Sequence, residues 1–196
     1  LSLPWTIYAD WWREAAYGRT SQSLGDFLAQ TAISTVIAGL IGGLFFLGVY
    51  TLIRRSGRLW WLWSGGFSAL AISALLLLAP AFIEPLFNEY KPLPDGPVRQ
   101  ALNAMADDAG IAHDRIFVFD GSRQSNNFTA NVSGVLGTAR IAISDVALGN
   151  ATLDEVRAVT AHEIGHFVLN HVWHTVVVFS ALAMLLLVLA DRLFPK

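Results

Sequence analysis

Thr152-Leu-Asp-Glu-Val-Arg-Ala-Val-Thr-Ala-His-Glu-Ile-Gly-His166 determines how the centre of this chain folds. Its first four residues form a capping box, in which a Thr and a Glu three positions later satisfy the free amides of a helix start. Neither Pro nor Gly interrupts residues 153–164, so the pattern predicts one regular helix that carries the end of the stretch.

Two histidines and a glutamate near the end of this helix predict a metal site. His162 and His166 are four residues apart, which places their imidazoles on one helix face, about 5–6 Å apart at Cβ. Both rings can then bind one Zn²⁺ at about 2.0–2.1 Å. Glu163 can take a proton from an activated water molecule. We therefore predict His162 and His166 as ligands of one zinc ion per chain and Glu163 as the catalytic residue. A chance match is the alternative, and the capping box argues against it.

Three long stretches without Asp, Glu, Lys or Arg predict a membrane protein. The chain has 196 residues, of which 54% are hydrophobic and 14% are charged, whereas soluble domains have about 25% charged residues. A helix rises about 1.5 Å per residue, so each stretch can cross a hydrocarbon core of about 30 Å. Three transmembrane helices are therefore expected, at residues 27–53, 59–83 and 172–190.

The soluble part between the second and third predicted spans contains helix and strand patterns. A helix is expected from Pro97 to Gly110, followed by strands at 115–120, 128–135 and 139–144. The predicted fold class is a mainly α membrane protein with a small α+β zincin-like catalytic segment, which holds a short sheet and the HExxH helix. The predicted divisions are residues 1–30 (an interfacial amphipathic segment), 31–83 (two transmembrane helices with an Arg-rich link), 84–171 (the metallopeptidase segment) and 172–196 (the third transmembrane helix).

Several motifs in a consistent order resemble one family, the type I CAAX prenyl endopeptidases, which are integral-membrane gluzincins, and in particular its prokaryotic members. The matching motifs are Leu3-Pro4 with Glu14 and Tyr17-Gly18, Ile83-Glu-Pro-Leu-Phe-Asn88, Asp120-Gly-Ser-Arg123 with Gly134 and Arg140-Ile141, and His162-Glu-Ile-Gly-His166 with Asn170-His171.

The resemblance implies a substrate-binding strand as well as the zinc ligands and the general base. The family binds the substrate backbone along a strand with the pattern N-A-Y-x-x-G. The corresponding residues of this chain are Thr129, Ala130, Asn131, Val132 and Gly134. Thr129 and Asn131 replace the Asn and Tyr of the pattern. The resemblance therefore implies a substrate-binding strand at this position, but it does not imply specificity for prenylated proteins.

A third zinc ligand is expected outside these motifs. Gluzincins take it from a Glu on a later helix, and a catalytic zinc site has three protein ligands. The resemblance therefore implies a third ligand beyond Lys196 and a fragment of a larger protease, with weak zinc binding and little or no peptidase activity on its own. On a continuous helix His171 would point about 140° away from His166, and Glu84 and Glu89 have no motif support.

The expected partners are the lipid bilayer and a peptide or protein substrate, including a membrane-associated one. A net charge of −2 gives no support for nucleic-acid binding. The competing functions are a quality-control protease of the stress-induced type and an inactive homologue that acts as a membrane scaffold. A transporter or channel is disfavoured because the first two predicted spans contain no ionisable residue. Arg123 and Arg140 are interpreted as solvated surface positions, with contact to a substrate carboxylate as the alternative.

Two signals disagree on membrane orientation. Arg54, Arg55 and Arg58 in the link lie on the same side as Arg192 and Lys196, and the positive-inside rule places that side in the cytoplasm. Eukaryotic members of the family present the site to the cytosol, which implies the opposite. We predict an integral multi-pass protein of a prokaryotic plasma membrane and leave the side of the active site open.

Overall fold

The structure, a computed structural model, describes residues 2–134 and 137–194. The chain divides into two compact units, which we call the sheet unit (residues 2–31 and 80–169) and the membrane unit (residues 32–79 and 170–194). A π-helical segment, Ile7–Trp12, joins α1 to α2. The described helices are α1 (Leu3–Thr6), α2 (Arg13–Ala16), α3 (Leu24–Arg55), α4 (Trp60–Phe82), α5 (Pro97–Ala109), α6 (Asp145–Asn150), α7 (Leu153–Val168) and α8 (His171–Leu193). The described strands are β1 (Tyr90–Pro92), β2 (Ile116–Phe119), β3 (Ala130–Ser133) and β4 (Arg140–Ser144).

The sheet unit contains one sheet with the strand order β1-β2-β4-β3. The central pair β2 and β4 is parallel, and the two edge strands are antiparallel to their neighbours. Because side chains alternate between faces, Ile116, Ile141 and Ile143 share the face that packs with Leu102 of α5 and Val156 of α7. These five side chains are completely buried. Each contributes about 1.5–3 kcal/mol by burial, which makes this layer the core of the unit.

The two helices over this core begin where the sequence predicts, and α5 also ends where it predicts. Pro97 starts α5, and Gly110 ends it in a left-handed conformation with φ of 68°, as expected for a glycine after a helix. The capping box at the start of α7 is formed, since Thr152 Oγ1 accepts from the amide of Glu155 at 3.3 Å and Glu155 Oε2 accepts from the amide of Thr152 at 2.7 Å. The predicted helix across the histidine motif is confirmed.

Three helical stretches are long and apolar enough to cross a membrane: Leu24–Arg55, Gly57–Phe82 and His171–Leu193. They match the three predicted spans. Within the membrane unit, Gly48 lies against Phe67 and Gly65 lies against Met184, where an added side chain would overlap its neighbour. The indole N–H of Trp60 donates to Asp191 Oδ1 at 2.6 Å. Among the described residues of this unit, these close glycine contacts and the hydrogen bond from Trp60 to Asp191 therefore help to hold the helices together.

The structure differs from the sequence expectations in several short elements. Strand β1 and helix α6 were not predicted, and the strand expected at 128–135 is formed at Ala130–Ser133, with Val135 outside the described residues. The helix expected to continue from His166 to His171 is interrupted. Asn170 has φ of 56°, a left-handed conformation that Asn tolerates better than most residues, so α7 and α8 are separate helices.

Candidate active site

The two motif histidines converge on one point beside α7. His162 Nε2 and His166 Nε2 are 3.1 Å apart, and the ring centroids are 4.7 Å apart with an angle of 76° between the ring planes. Both side chains are exposed. One ring nitrogen can donate to the other, so the pair is either a histidine–histidine hydrogen bond or two ligands aimed at a common ion.

The distance between the two nitrogens fits a zinc ion. Two ligands at about 2.0–2.1 Å from a tetrahedral ion are about 3.3 Å apart, within about 0.2 Å of the separation observed. His166 lies in the last turn of α7, where the carbonyl end of the helix carries partial negative charge and favours a cation. The residues present therefore fit the metal that the motif predicts.

The described residues contain no group of three His, Cys, Asp or Glu side chains that could hold a metal ion. The glutamates considered as third ligands bind elsewhere, since Glu84 accepts from Tyr90 and Arg140 and Glu89 pairs with Lys91 at 3.2 Å. His171 begins α8, beyond the break at Asn170. The two predicted ligands thus lie on α7, and no third candidate lies beside them within the described part of the chain.

Glu163, the predicted general base, is partly buried beside the histidines. No described residue donates a hydrogen bond to its carboxylate or forms an ion pair with it. A Cβ placed on Gly165 would meet nothing within 4 Å, so open space lies next to α7 at the level of the motif.

Strand β3 packs against α7 and forms an edge of the described sheet. The amide of Ser144 donates to the carbonyl of Thr129 at 2.8 Å, which makes this a hydrogen-bonded pair. Hydrogen-bonded and non-bonded pairs alternate along antiparallel strands. Asn131 and Ser133 therefore direct their backbone groups to β4, and Ala130 and Val132 direct theirs to the free edge. An extended peptide can pair with that edge.

The residues predicted to bind substrate lie together along this edge. Thr129 precedes β3, Ala130, Asn131 and Val132 lie within it, and Gly134 follows it with φ of 108°. The side chains of Ala130 and Val132 face the core, and buried Asn131 Oδ1 has no hydrogen-bond partner among the described residues.

The loop before β3 is anchored to the start of the chain. Arg123 forms a two-pronged contact with Asp26, at 2.5 and 3.2 Å. Asn126 Nδ2 donates to the carbonyl of Gly18 at 2.9 Å, and Thr20 Oγ1 donates to the carbonyl of Gln124 at 2.7 Å. Arg123 is exposed, as the sequence predicts, and it also pairs with a carboxylate 97 residues away, a partner that the sequence did not identify.

Arg140 was also interpreted as a surface residue, and it is instead embedded in a polar network. Its Nε donates to Ser133 Oγ at 3.2 Å, and its Nη2 donates to the carbonyl of Pro80 at 2.6 Å and to Glu84 Oε2 at 2.9 Å. The guanidinium lies over the ring of Tyr90, 4.4 Å from its centroid. Burial, reinforced by the hydrogen bond to Glu84, raises the pKa of the Tyr90 phenol, which therefore stays protonated and donates. No local sequence pattern identifies this network, because its partners are far apart in the chain.

Two family models match almost the whole chain. Residues 1–89 match the one described as "CAAX prenyl protease N-terminal, five membrane helices". Residues 92–196 match "Peptidase family M48". The boundary between them falls at the exit of the second predicted span, which agrees with the order of a membrane part followed by the sheet and α7.

The curated relatives include CAAX prenyl proteases and a metalloprotease. CAAX prenyl protease 1 of Saccharomyces cerevisiae is 32% identical over 93% of this chain and 40% of its own length. The CAAX prenyl protease 1 homolog of Arabidopsis thaliana is 27% identical over 93% of this chain and 43% of its own length. The uncharacterized metalloprotease YhfN of Bacillus subtilis is 26% identical, with coverage of 92% and 42%.

A solved structure has the same fold. The crystal structure of S. mikatae Ste24p superposes with a TM-score of 0.91 and 27% identity, and it covers 100% of this chain and 46% of the other. This chain therefore spans less than half the length of the relatives that it matches.

Proposed function

We propose that this chain, which belongs to peptidase family M48, is the metal-binding part of a membrane-embedded zinc metalloendopeptidase. The protein is an integral membrane protein, and metalloproteases of this family depend on zinc in general. The observation that carries the proposal is the convergence of two imidazoles, 3.1 Å apart, beside a carboxylate with no described partner.

The residues of the chain suggest separate roles in peptide hydrolysis. His162 and His166 would hold zinc, which polarises a carbonyl group and activates water. Glu163 would accept a proton from the attacking water and pass it to the leaving amine. The outward-facing backbone of Ala130 and Val132 would pair with the substrate and present the scissile bond to α7. The third ligand would come from outside the described residues, and residues 1–196 alone are expected to bind zinc weakly and to cleave little.

The substrate class is proposed from the relatives. Their names point to prenylated CAAX proteins, and we propose a membrane-associated peptide or protein of this kind as the substrate. Two alternative functions predict different cleavage results. A quality-control protease would cleave unprenylated membrane proteins equally well, and an inactive scaffold would cleave neither.

The proposal is tested on the full-length protein with a peptide in prenylated and unprenylated form. Glu163→Gln should keep its zinc and lose cleavage by about 10²–10⁴-fold, the usual contribution of a general base. His162→Ala and His166→Ala should lose zinc and activity together. Chelation should abolish cleavage, and added zinc should restore it.

Asp154→Asn is the matched control, because Asp154 lies on the same helix with a side chain that is 93% exposed. Its zinc content and cleavage rate should equal those of the unaltered protein. Equal cleavage by the unaltered protein and Glu163→Gln would refute the role of Glu163. Absence of cleavage by a zinc-loaded, full-length protein would favour the scaffold.

A further inference from the structure

The polar network around Arg140 joins the proposed peptide-binding edge to the end of α4. Ser133 is the last residue of β3 and pairs directly with Arg140 across the two strands. The same guanidinium binds Pro80 at the end of α4 and Glu84 in the turn that follows. We propose that Arg140 is a positioning residue, which holds the Ser133 end of β3 so that its outward backbone can pair with substrate. This inference rests on the function proposed above.

The C-terminal end of α4 binds the guanidinium of Arg140. The last four carbonyl groups of a helix have no partner within the helix, and α4 ends at Phe82, so the carbonyl of Pro80 is one of these. Arg140 satisfies it and places a positive charge at the negative end of the helix dipole. The anchor is therefore formed by residues of the chain alone.

The geometry requires arginine rather than any cation. The side chain of Arg140 is 19% exposed and that of Glu84 is 32% exposed, so both charges are largely removed from water. Glu84 is held in turn by the phenol of Tyr90 at 2.8 Å. Three separate acceptors around one planar fork match guanidinium, whereas a lysine ammonium would act as a single point charge on a flexible stem.

The restraint matters because β3 is short and paired on one side only. It has four residues, and its other long side is the free edge. Strands at an edge open more easily than central strands when few contacts hold them. Loss of the contact at Ser133 should therefore affect the binding of peptides that extend along β3.

The test compares Ser133→Ala and Arg140→Lys in the full-length protein. Each is assayed with a long peptide that can extend along β3 and with a short one that cannot. KM for the long peptide should rise about tenfold with kcat within about twofold, and KM for the short peptide should not change. Zinc content should be unaltered. Hydrogen exchange should become faster at the amides of Asn131 and Ser133, which bond to β4.

Arg157→Lys is the matched control, because Arg157 is 53% exposed and its ion pair with Asp154 is long, at 3.6 Å. It should change neither KM nor exchange. Unchanged KM and exchange in both test variants would overturn the proposal, as would an equal loss with both peptides. If Arg140→Lys does not fold, Ser133→Ala decides alone. If Glu163→Gln cleaves normally, the proposed function fails instead, and the exchange measurement still tests the anchor.

Discussion

Replacing Gly134 by alanine should destabilise the turn after β3, and Gly137 is a control three residues away. Both have a left-handed backbone, with φ of 108° at Gly134 and 82° at Gly137. Such a conformation costs a residue with a Cβ about 1–2 kcal/mol. Both substitutions share this cost, so any difference between them comes from the space around the new methyl group.

That space differs sharply between the two positions. At Gly134 the added Cβ would lie 2.5 Å from the carbonyl oxygen of Thr138 and 2.9 Å from Cα of Ala139. These are backbone atoms that lead into β4 and cannot rotate away. At Gly137 the Cβ would meet nothing within 4 Å. Overpacking costs about 1–3 kcal/mol, so we expect a loss of about 2–5 kcal/mol for Gly134→Ala and about 1–2 kcal/mol for Gly137→Ala.

Thermal unfolding of the two purified variants in the same detergent measures the difference. A change of 1 kcal/mol shifts Tm by about 2–4 °C in a domain of 150–250 residues. Gly134→Ala should therefore melt about 2–12 °C below Gly137→Ala. Hydrogen exchange at β3 should rise in the first variant only. Equal melting temperatures would refute the steric argument and leave only the shared backbone cost.

Further predictions concern α7 and the membrane interface. Gly165→Ala should stabilise the protein by about 0.5–1 kcal/mol, since a Cβ there has free space; unchanged thermal unfolding would contradict it. Thr152→Ala should destabilise it by about 1 kcal/mol through loss of the cap, measured in the same way. Hydrogen bonds from Thr152 lower the pKa of Glu155. Their stabilisation is therefore complete above the ordinary carboxyl pKa and is lost as pH falls through the lowered value, so an acid titration of Tm should be steeper for the unaltered protein than for Thr152→Ala. A fluorophore at Trp12→Cys should be quenched by quencher-bearing lipids more than one at Asp10→Cys, because Trp12 is 54% exposed and stacks with Tyr8, and exposed aromatic rings favour the membrane interface.

The elements predicted correctly are those with local signals. The cap at Thr152 and the four-residue spacing of His162 and His166 depend only on residues within one helix, so their geometry follows from helix periodicity. The three spans follow from composition over windows as long as a bilayer is thick. The roles of the site residues remain predictions, although the two imidazoles do converge.

The missed elements depend on contacts between distant residues. Arg140 lies 60 residues from Pro80 and 56 from Glu84, and no periodicity connects such positions. Strand β1 has three residues, too few for an alternating pattern. No Gly or Pro marks the break between α7 and α8 in the sequence, because the residue with the left-handed conformation at this point is Asn170.

The open side of β3 exposes main-chain donors and acceptors, and any extended chain can use them, not only a substrate. Its Ala-Asn-Val-Ser sequence contains none of the lysines or prolines that usually deter unwanted pairing at such borders. What limits the hazard is length, since four residues span only about 13 Å. A solubilised preparation should therefore self-associate only weakly through this border, and a short peptide seated on it should keep the molecules apart.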